Sequence, residues 1–294
     1  MLSPPPRTLS FALALGVLAV STAAPFIRLA NAAAGQPGLG FSLLLGAVRL
    51  GVATLFLLPS WRRVDRPPWP SILLAGSLLA LHFGSFIASL NYTSIAASTA
   101  LSSTSPLWSS LLLWLLRGKV PSPRALGGIS MALVGGFLIA LAQPSASGPL
   151  PWLGNLLALL DALSIAIYFD LSQRLQQRGV ALGPYLVMAY GSGALLLAPW
   201  PWLLGAPYLG YPAPTYLWML LLALIPQCVG HTAFNYVARW QGPLRVTLAT
   251  LLEPVGASLL GYVVLKEIPG FHVLIGGTFL LFGVALALPD SASR

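Results

Sequence analysis

Apolar residues run along this chain in blocks of about 20, separated by short stretches rich in Gly, Pro and Arg. A helix of about 20 residues spans roughly 30 Å, the thickness of the hydrocarbon core of a bilayer. The blocks predict ten membrane helices over residues 10–29, 41–58, 69–90, 94–116, 125–141, 152–171, 184–202, 215–237, 243–265 and 271–288. A transmembrane β-barrel would alternate apolar and polar positions, and these blocks do not. The expected fold class is therefore an all-α polytopic membrane protein. The first block has a small-residue stretch, Thr22-Ala23-Ala24, that resembles a signal-peptidase site. Pro25 would then stand at the new N-terminus and the apolar run continues past it, so the block reads as a membrane helix broken between Ser21 and Pro25.

The last two blocks share a layout with an earlier pair. Glu253-Pro254 lies in one apolar segment, Lys266-Glu267-Ile268-Pro269-Gly270 forms a charged turn, and Gly276-Gly277 opens the next segment. Earlier, Thr104-Ser105-Pro106 leads through an apolar run to Arg117-Gly118-Lys119-Val120-Pro121, and Gly127-Gly128 opens the segment after it. Pro106 precedes Gly127 by 21 residues and Pro254 precedes Gly276 by 22. This order implies an internal duplication. The expected organisation is a tail (1–9), a first repeat of five helices (10–142), a polar linker (143–151), a second repeat (152–288) and a second tail (289–294).

Composition narrows the class further. Of 294 residues, 7% are charged and 57% hydrophobic, which excludes an ordinary soluble domain of this length. The net charge of +9 does not signal nucleic-acid binding, because the basic residues sit singly at segment ends without a basic stripe. Arg and Lys in short loops report orientation. With ten helices, one side collects Arg7, Arg62, Arg63, Arg66, Arg117, Lys119, Arg124, Arg174, Arg178, Arg239 and Arg294, and the other little besides Lys266. Both termini are then expected in the cytoplasm. Five helices per half is an odd number, so the halves are expected to be inverted relative to one another, an architecture suited to alternating access around a site near the membrane midplane.

The Glu-Pro pair, the Lys-Glu turn and the Gly-Gly opening of the last helix resemble the EamA-type branch of the drug/metabolite transporter superfamily. The resemblance covers nearly the whole chain. The first-half version departs from it, with Arg117-Gly118-Lys119 where the family usually carries an acidic residue. Within the superfamily the chain most resembles bacterial exporters of amino acids, including aromatic ones. That implies ten helices, a cavity between the halves, and efflux of a small-molecule substrate across an inner membrane, with no cofactor and no nucleic-acid partner. The oligomeric state stays open, a monomer being compatible with everything above. Exporters of other drugs or metabolites are the nearest alternative.

Polar side chains inside the hydrocarbon face a cavity or a partner. Helical spacing puts Asp161, Ser164 and Tyr168 on one face of the sixth helix, and Gln227, His231 and Asn235 on one face of the eighth. His82, Ser85 and Ser89 share a face of the third; Thr99, Ser103 and Pro106 share one of the fourth, with Trp108 close by. These hydroxyls, amides and imidazoles suit the ammonium and carboxylate of a zwitterion, and Phe83, Trp108 and Tyr168 suit its side chain or a cation. Arg49, Asp161 and Glu253 each fall near the middle of a span. Either acid is a candidate proton carrier, and either is a candidate ion-pair partner of Arg49. Pro25, Pro106 and Pro254 each remove an intrahelical hydrogen bond and are candidate hinges.

Structural readings stand beside these. Membrane Ser and Thr often bond back to a carbonyl of their own helix. Trp152, Trp202, Trp218 and Trp240 lie near helix ends and read as interface anchors. The Gly-Gly pairs read as close helix contacts. Cys228 is the sole cysteine, which excludes a disulfide framework and a thiolate metal site. There is no His-Glu-x-x-His and no Gly-x-Ser-x-Gly, so nothing recommends an intramembrane enzyme. A channel would call for a ring-like lining from symmetric assembly, and kinked inverted repeats favour a carrier.

Overall fold

A computed structural model of the chain describes residues 4–35, 38–64, 66–93, 98, 101–118, 120–141, 150–265 and 271–287. Among these residues every regular element is helical. The first half comprises α1 (Pro6–Ser21), α2 (Ala23–Ala34), α3 (Leu39–Leu57), α4 (Trp69–Ser89), α5 (Ser105–Arg117) and α6 (Pro123–Leu141). The second begins with α7 (Pro151–Gln177), α8 (Leu182–Leu197) and the short α9 (Pro199–Leu203). Then α10 (Ala213–Leu222) passes through a π-helical segment (Ala223–His231) into α11 (Thr232–Gln241), followed by α12 (Pro243–Thr250), α13 (Glu253–Leu265) and α14 (Phe271–Ala287). Six described stretches are long and apolar enough to cross a bilayer: Pro6–Ala34, Leu39–Ser60, Trp69–Ser89, Pro151–Gln177, Leu182–Leu203 and Ala213–Gln241. With α5, α6, the α12–α13 pair and α14, they make about ten spans in two inverted repeats.

The breaks follow from proline chemistry. A proline in a helix cannot donate to the carbonyl four residues earlier, so the ladder fails at that carbonyl. Pro25 would have bonded to Ser21, and the chain turns at Thr22. Pro106 would have bonded to Ser102, and a turn at Ser103–Thr104 precedes the restart at Ser105. Pro254 would have bonded to Thr250, and α12 ends there before α13 starts at Glu253. The sequence suggests single helices over 94–116 and 243–265; the structure restarts both at these prolines. Pro226 lies inside the π-helical segment and interrupts the expected eighth helix in the same way. The sixth helix runs to Gln177, beyond the expected 171, and Arg174 in the extension pairs with Asp170 at 2.7 Å.

Packing repeats around a twofold. α4 lies on α7, and its counterpart in the other half, the π segment with α11, lies on α1. α4 meets α8, and the π segment meets α3. The self-related pairs are α3 with α8 and α6 with α14. The last pair is the tightest: a Cβ on Gly283 would stand 2.5 Å from Ala132 N and 2.6 Å from Gly128 O. Only one residue of the Gly127-Gly128 pair serves this contact, since nothing lies within 4 Å of a Cβ built on Gly127. Large aliphatic side chains such as Leu18, Leu55 and Leu195 project outward, as lipid contact requires. Trp152 and Trp202 are exposed near helix ends as anchors should be. Trp218 instead packs on Phe26 at 5.7 Å, and Trp240 lies under the Arg239 guanidinium at 5.0 Å. Thr99, Lys119, the linker from Gln143 to Gly148, Lys266-Glu267 and the tail 289–294 lie outside the described residues.

Candidate functional site

All three proline breaks meet one cavity. Its wall takes Val20 and Ala23 from either side of the α1–α2 break, Ser102, Ser103 and Ser105 around the start of α5, and Thr250, Glu253 and Pro254 around the start of α13. Arg49 of α3, His82, Phe83 and Phe86 of α4, Asp161, Ile165 and Phe169 of α7, His231, Phe234 and Thr247 complete it. The cavity volume is roughly 70 Å³. That holds about five to seven waters at about 10–15 Å³ each. A charged and hydroxyl-rich hollow walled by phenyl rings, deep in an apolar bundle, is the kind of place a polar solute with an aromatic or large apolar group can occupy.

Arg49 is the best-defined group. It is 2% exposed, on a helix otherwise lined with Leu, Gly and Ala. Its Nε donates to Gln227 Oε1 at 2.7 Å, and its Cζ stands 4.0 Å from the centroid of the Phe83 ring. Gln227 thus lies behind the arginine, 0% exposed, and holds it from the π-helical segment. Held at Nε and against Phe83, the guanidinium lines the cavity. Among the described residues no carboxylate lies within 4.0 Å of Arg49; Glu253 lines the same cavity and interacts with both Arg49 and Asp161 through space.

Asp161 is 1% exposed and held from two sides. His82 Nδ1 contacts one carboxylate oxygen and Ser102 Oγ donates to the other. The acid therefore ties α7 to α4 and to the residues just before the α5 restart. His231 stacks into an aromatic cluster, 5.1 Å from Phe83 and 6.4 Å from Phe169 by ring centroids, and its Nδ1 has no hydrogen-bond partner among the described residues.

Of the candidate substrate-site residues, His82, Phe83, Ser103, Asp161 and His231 line the cavity, as do Arg49, Glu253 and Pro254. Pro25 and Pro106 are buried beside their breaks but do not line it. Ser164 bonds back to Leu160 O at 2.6 Å, and Ser85 and Ser89 to the carbonyls of Leu81 and Phe86. Tyr168 stacks on Tyr185 at 6.3 Å, away from the cavity. Asn235 accepts from Ser172 Oγ at 2.6 Å and donates to His231 O at 2.8 Å, a clamp between α7 and α11. Trp108 Nε1 donates to Thr104 Oγ1 at 3.2 Å and its ring stays outside.

The misplacements have one cause each. On α7 the wall face is Asp161, Ile165 and Phe169, at i, i+4 and i+8; the i, i+3, i+7 choice rotates away from it onto Ser164 and Tyr168. On the eighth span the π segment has wider turns than an α-helix, so positions spaced by four do not keep one face. Spacing also passes over Ser102, Ser105, Thr247 and Thr250. The run Ser102-Ser103-Thr104-Ser105 and the pattern Thr247, Thr250, Glu253 at three-residue steps are the signals that point to them.

Comparison with known proteins bears on these residues as a whole. A model of the EamA-like transporter family matches the chain twice, over residues 8–141 and 152–288. An uncharacterized transporter of Archaeoglobus fulgidus is 25% identical over 276 residues, 94% of each chain. The uncharacterized transporter YdfC of Bacillus subtilis is 26% identical over 247 residues, 83% of this chain and 78% of its own. A solved crystal structure superposes with a TM-score of 0.77 over 96% of both chains at 21% identity, a likeness of fold.

Proposed function

Since the chain belongs to the EamA-like transporter family and is a multi-pass membrane transporter, we propose that it exports amino acids, aromatic ones among them, by alternating access around the cavity just described. One observation carries the choice of substrate: the buried Arg49 guanidinium, fixed by Gln227, shares a phenyl-walled cavity with Glu253 and Asp161. An α-amino acid in its zwitterionic form offers a carboxylate for the arginine, an ammonium for an acid, and a side chain for Phe83, Phe86, Phe169 and Phe234.

The cavity is too small for that cargo as it stands. Room for five to seven waters is about half the non-hydrogen atoms of an aromatic amino acid. Widening falls to the three proline breaks on its wall, where helices can bend without losing further hydrogen bonds. Rocking of the two repeats about these points opens the cavity to one face and then the other. The basic loops set the orientation, with both termini in the cytoplasm of a bacterial-type inner membrane and flux directed outward. The Asp161–His82 pair is the proton carrier in this scheme, loading a proton from one face and releasing it to the other as the cavity alternates.

Counterflow tests this directly. Proteoliposomes loaded with unlabelled phenylalanine should accumulate labelled phenylalanine transiently and saturably, and Arg49→Leu should abolish the accumulation. No saturable counterflow with any amino acid would exclude the proposed substrate class, and an unsaturable flux would indicate a channel instead.

A further inference from the structure

Two of the breaks are counterparts in the repeat. Ser105-Pro106 opens α5 and Glu253-Pro254 opens α13, and Ser105, Glu253 and Pro254 all line the cavity. A helix start carries the positive end of the backbone dipole, so each of these starts suits an anion. The two are not filled alike. At α13 the first turn holds a carboxyl group of its own, Glu253. At α5 the same position holds Ser105; the first turn has no acid and no side chain caps it.

Groups independent of the helix ends also point to an anion here. Arg49, a cation 2% exposed and held through Nε by Gln227, lines this cavity. His231, 7% exposed, lines it with an unpartnered Nδ1.

We propose that this broken symmetry orients the substrate. Its carboxylate sits at the start of α5 beside Arg49, its ammonium sits on Glu253 at the start of α13, and Ser105 is the selectivity-determining position that leaves the α5 end open to the carboxylate. The inference rests on the amino-acid reading above and deepens it: cargo must carry one anionic and one cationic end. A carboxylate at position 105 would make the two starts alike and suit a molecule with two cationic ends.

The test compares wild type, Ser105→Glu and the size-matched Ser105→Gln in proteoliposomes, with labelled phenylalanine as substrate and 1,5-diaminopentane as competitor. The KM for phenylalanine should rise at least about tenfold more in Ser105→Glu than in Ser105→Gln, a gap of about 1.4 kcal/mol. The diamine should compete only in Ser105→Glu. Equal KM values for the two variants, or no diamine competition in a Ser105→Glu protein that purifies as a single species, overturn the proposal. Should Ser105→Glu not fold, Glu253→Gln decides: phenylalanine binding weakens about tenfold, while competition by 3-phenylpropanoate, which lacks the ammonium, is unchanged. Equal weakening of both ligands overturns the orientation. A wild type without saturable phenylalanine counterflow removes the amino-acid reading instead, and that arm is read first.

Discussion

Arg49→Lys is the most informative single change, because it keeps the charge and removes only the geometry. In the native protein Nε is committed to Gln227 Oε1 at 2.7 Å and the guanidinium plane to Phe83 at 4.0 Å. A charge-assisted bond of this kind is worth about 1.5–3 kcal/mol. A desolvated cation–π contact adds about 1–2 kcal/mol. Lysine ends in one compact ammonium, which cannot hold Gln227, lie flat on Phe83 and present two parallel donors to a carboxylate at once. Whichever partner it keeps, the substrate loses at least one of two charge-assisted bonds, about 1.5–3 kcal/mol, so KM should rise by about 10- to 100-fold. Gln227, whose Nε2 already lacks a partner among the described residues, becomes a fully orphaned buried amide if the ammonium turns to the cavity.

Phenylalanine counterflow in proteoliposomes, with protein monodispersity checked beforehand, is the assay. Gln227→Leu is its companion: the guanidinium stays but can swing, so a smaller rise is expected, about three- to tenfold. A KM for Arg49→Lys within about threefold of wild type would refute the reasoning, because a point charge would then do all that the fixed guanidinium does. The reverse ranking, with Gln227→Leu worse than Arg49→Lys, would refute the positioning role of Gln227.

Three further outcomes are expected. Asp161→Asn removes the proposed proton carrier, leaving Arg49, His82, His231 and Glu253 as the charged or titratable neighbours on the wall; flux that responds to an imposed pH gradient in wild type should become indifferent to it between about pH 5 and 8, as measured with inside and outside pH set separately. Gly283→Val drives a side chain into the backbone of Ala132 and Gly128 and should lower stability by about 1–3 kcal/mol, whereas Gly127→Val, with nothing within 4 Å, should not; unfolding half-lives in detergent compare the two. In a Cys228→Ala background, Trp61→Cys and Leu209→Cys, both in exposed connections, should react with an impermeant maleimide from opposite faces, Trp61→Cys from the cytoplasmic one; labelling from the same face would break the proposed orientation.

The fold was legible because the bilayer leaves little choice. Blocks of about 20 apolar residues must be helices, and the spans read from composition agree with α3, α4, α6 and α14 to within a few residues. Helix ends set by water were harder to read. The sixth span runs on to Gln177 as a polar turn in which Arg174 pairs with Asp170, and a scan for apolar runs stops where that polar turn begins. Among the glycines, sequence placed a close contact on α6 but could not choose between neighbours: Gly128 meets Gly283, while Gly127 faces open space.

The site was legible only where the helices stay regular. Spacing singled out His82 on the unbroken α4, Phe83 stood out beside it as an aromatic, and Arg49 and Asp161 stand out as charges in hydrocarbon; all four line the cavity. Spacing failed at Gln227 and Asn235, where the π segment shifts the phase, and it missed Ser102, Ser105 and Thr250, which flank helix restarts. These failures share a physical origin with the function. A continuous α-helix satisfies its own backbone and presents a fixed face, so its pattern can be read from sequence. A transporter needs loose backbone, free helix ends and bending points beside its cargo, and those are the features that scramble a 3.6-residue repeat. In a chain of this kind, the prolines where the periodic reading fails are therefore better pointers to the cavity than the polar residues that satisfy it: Pro25, Pro106 and Pro254 each stand within a few residues of its wall.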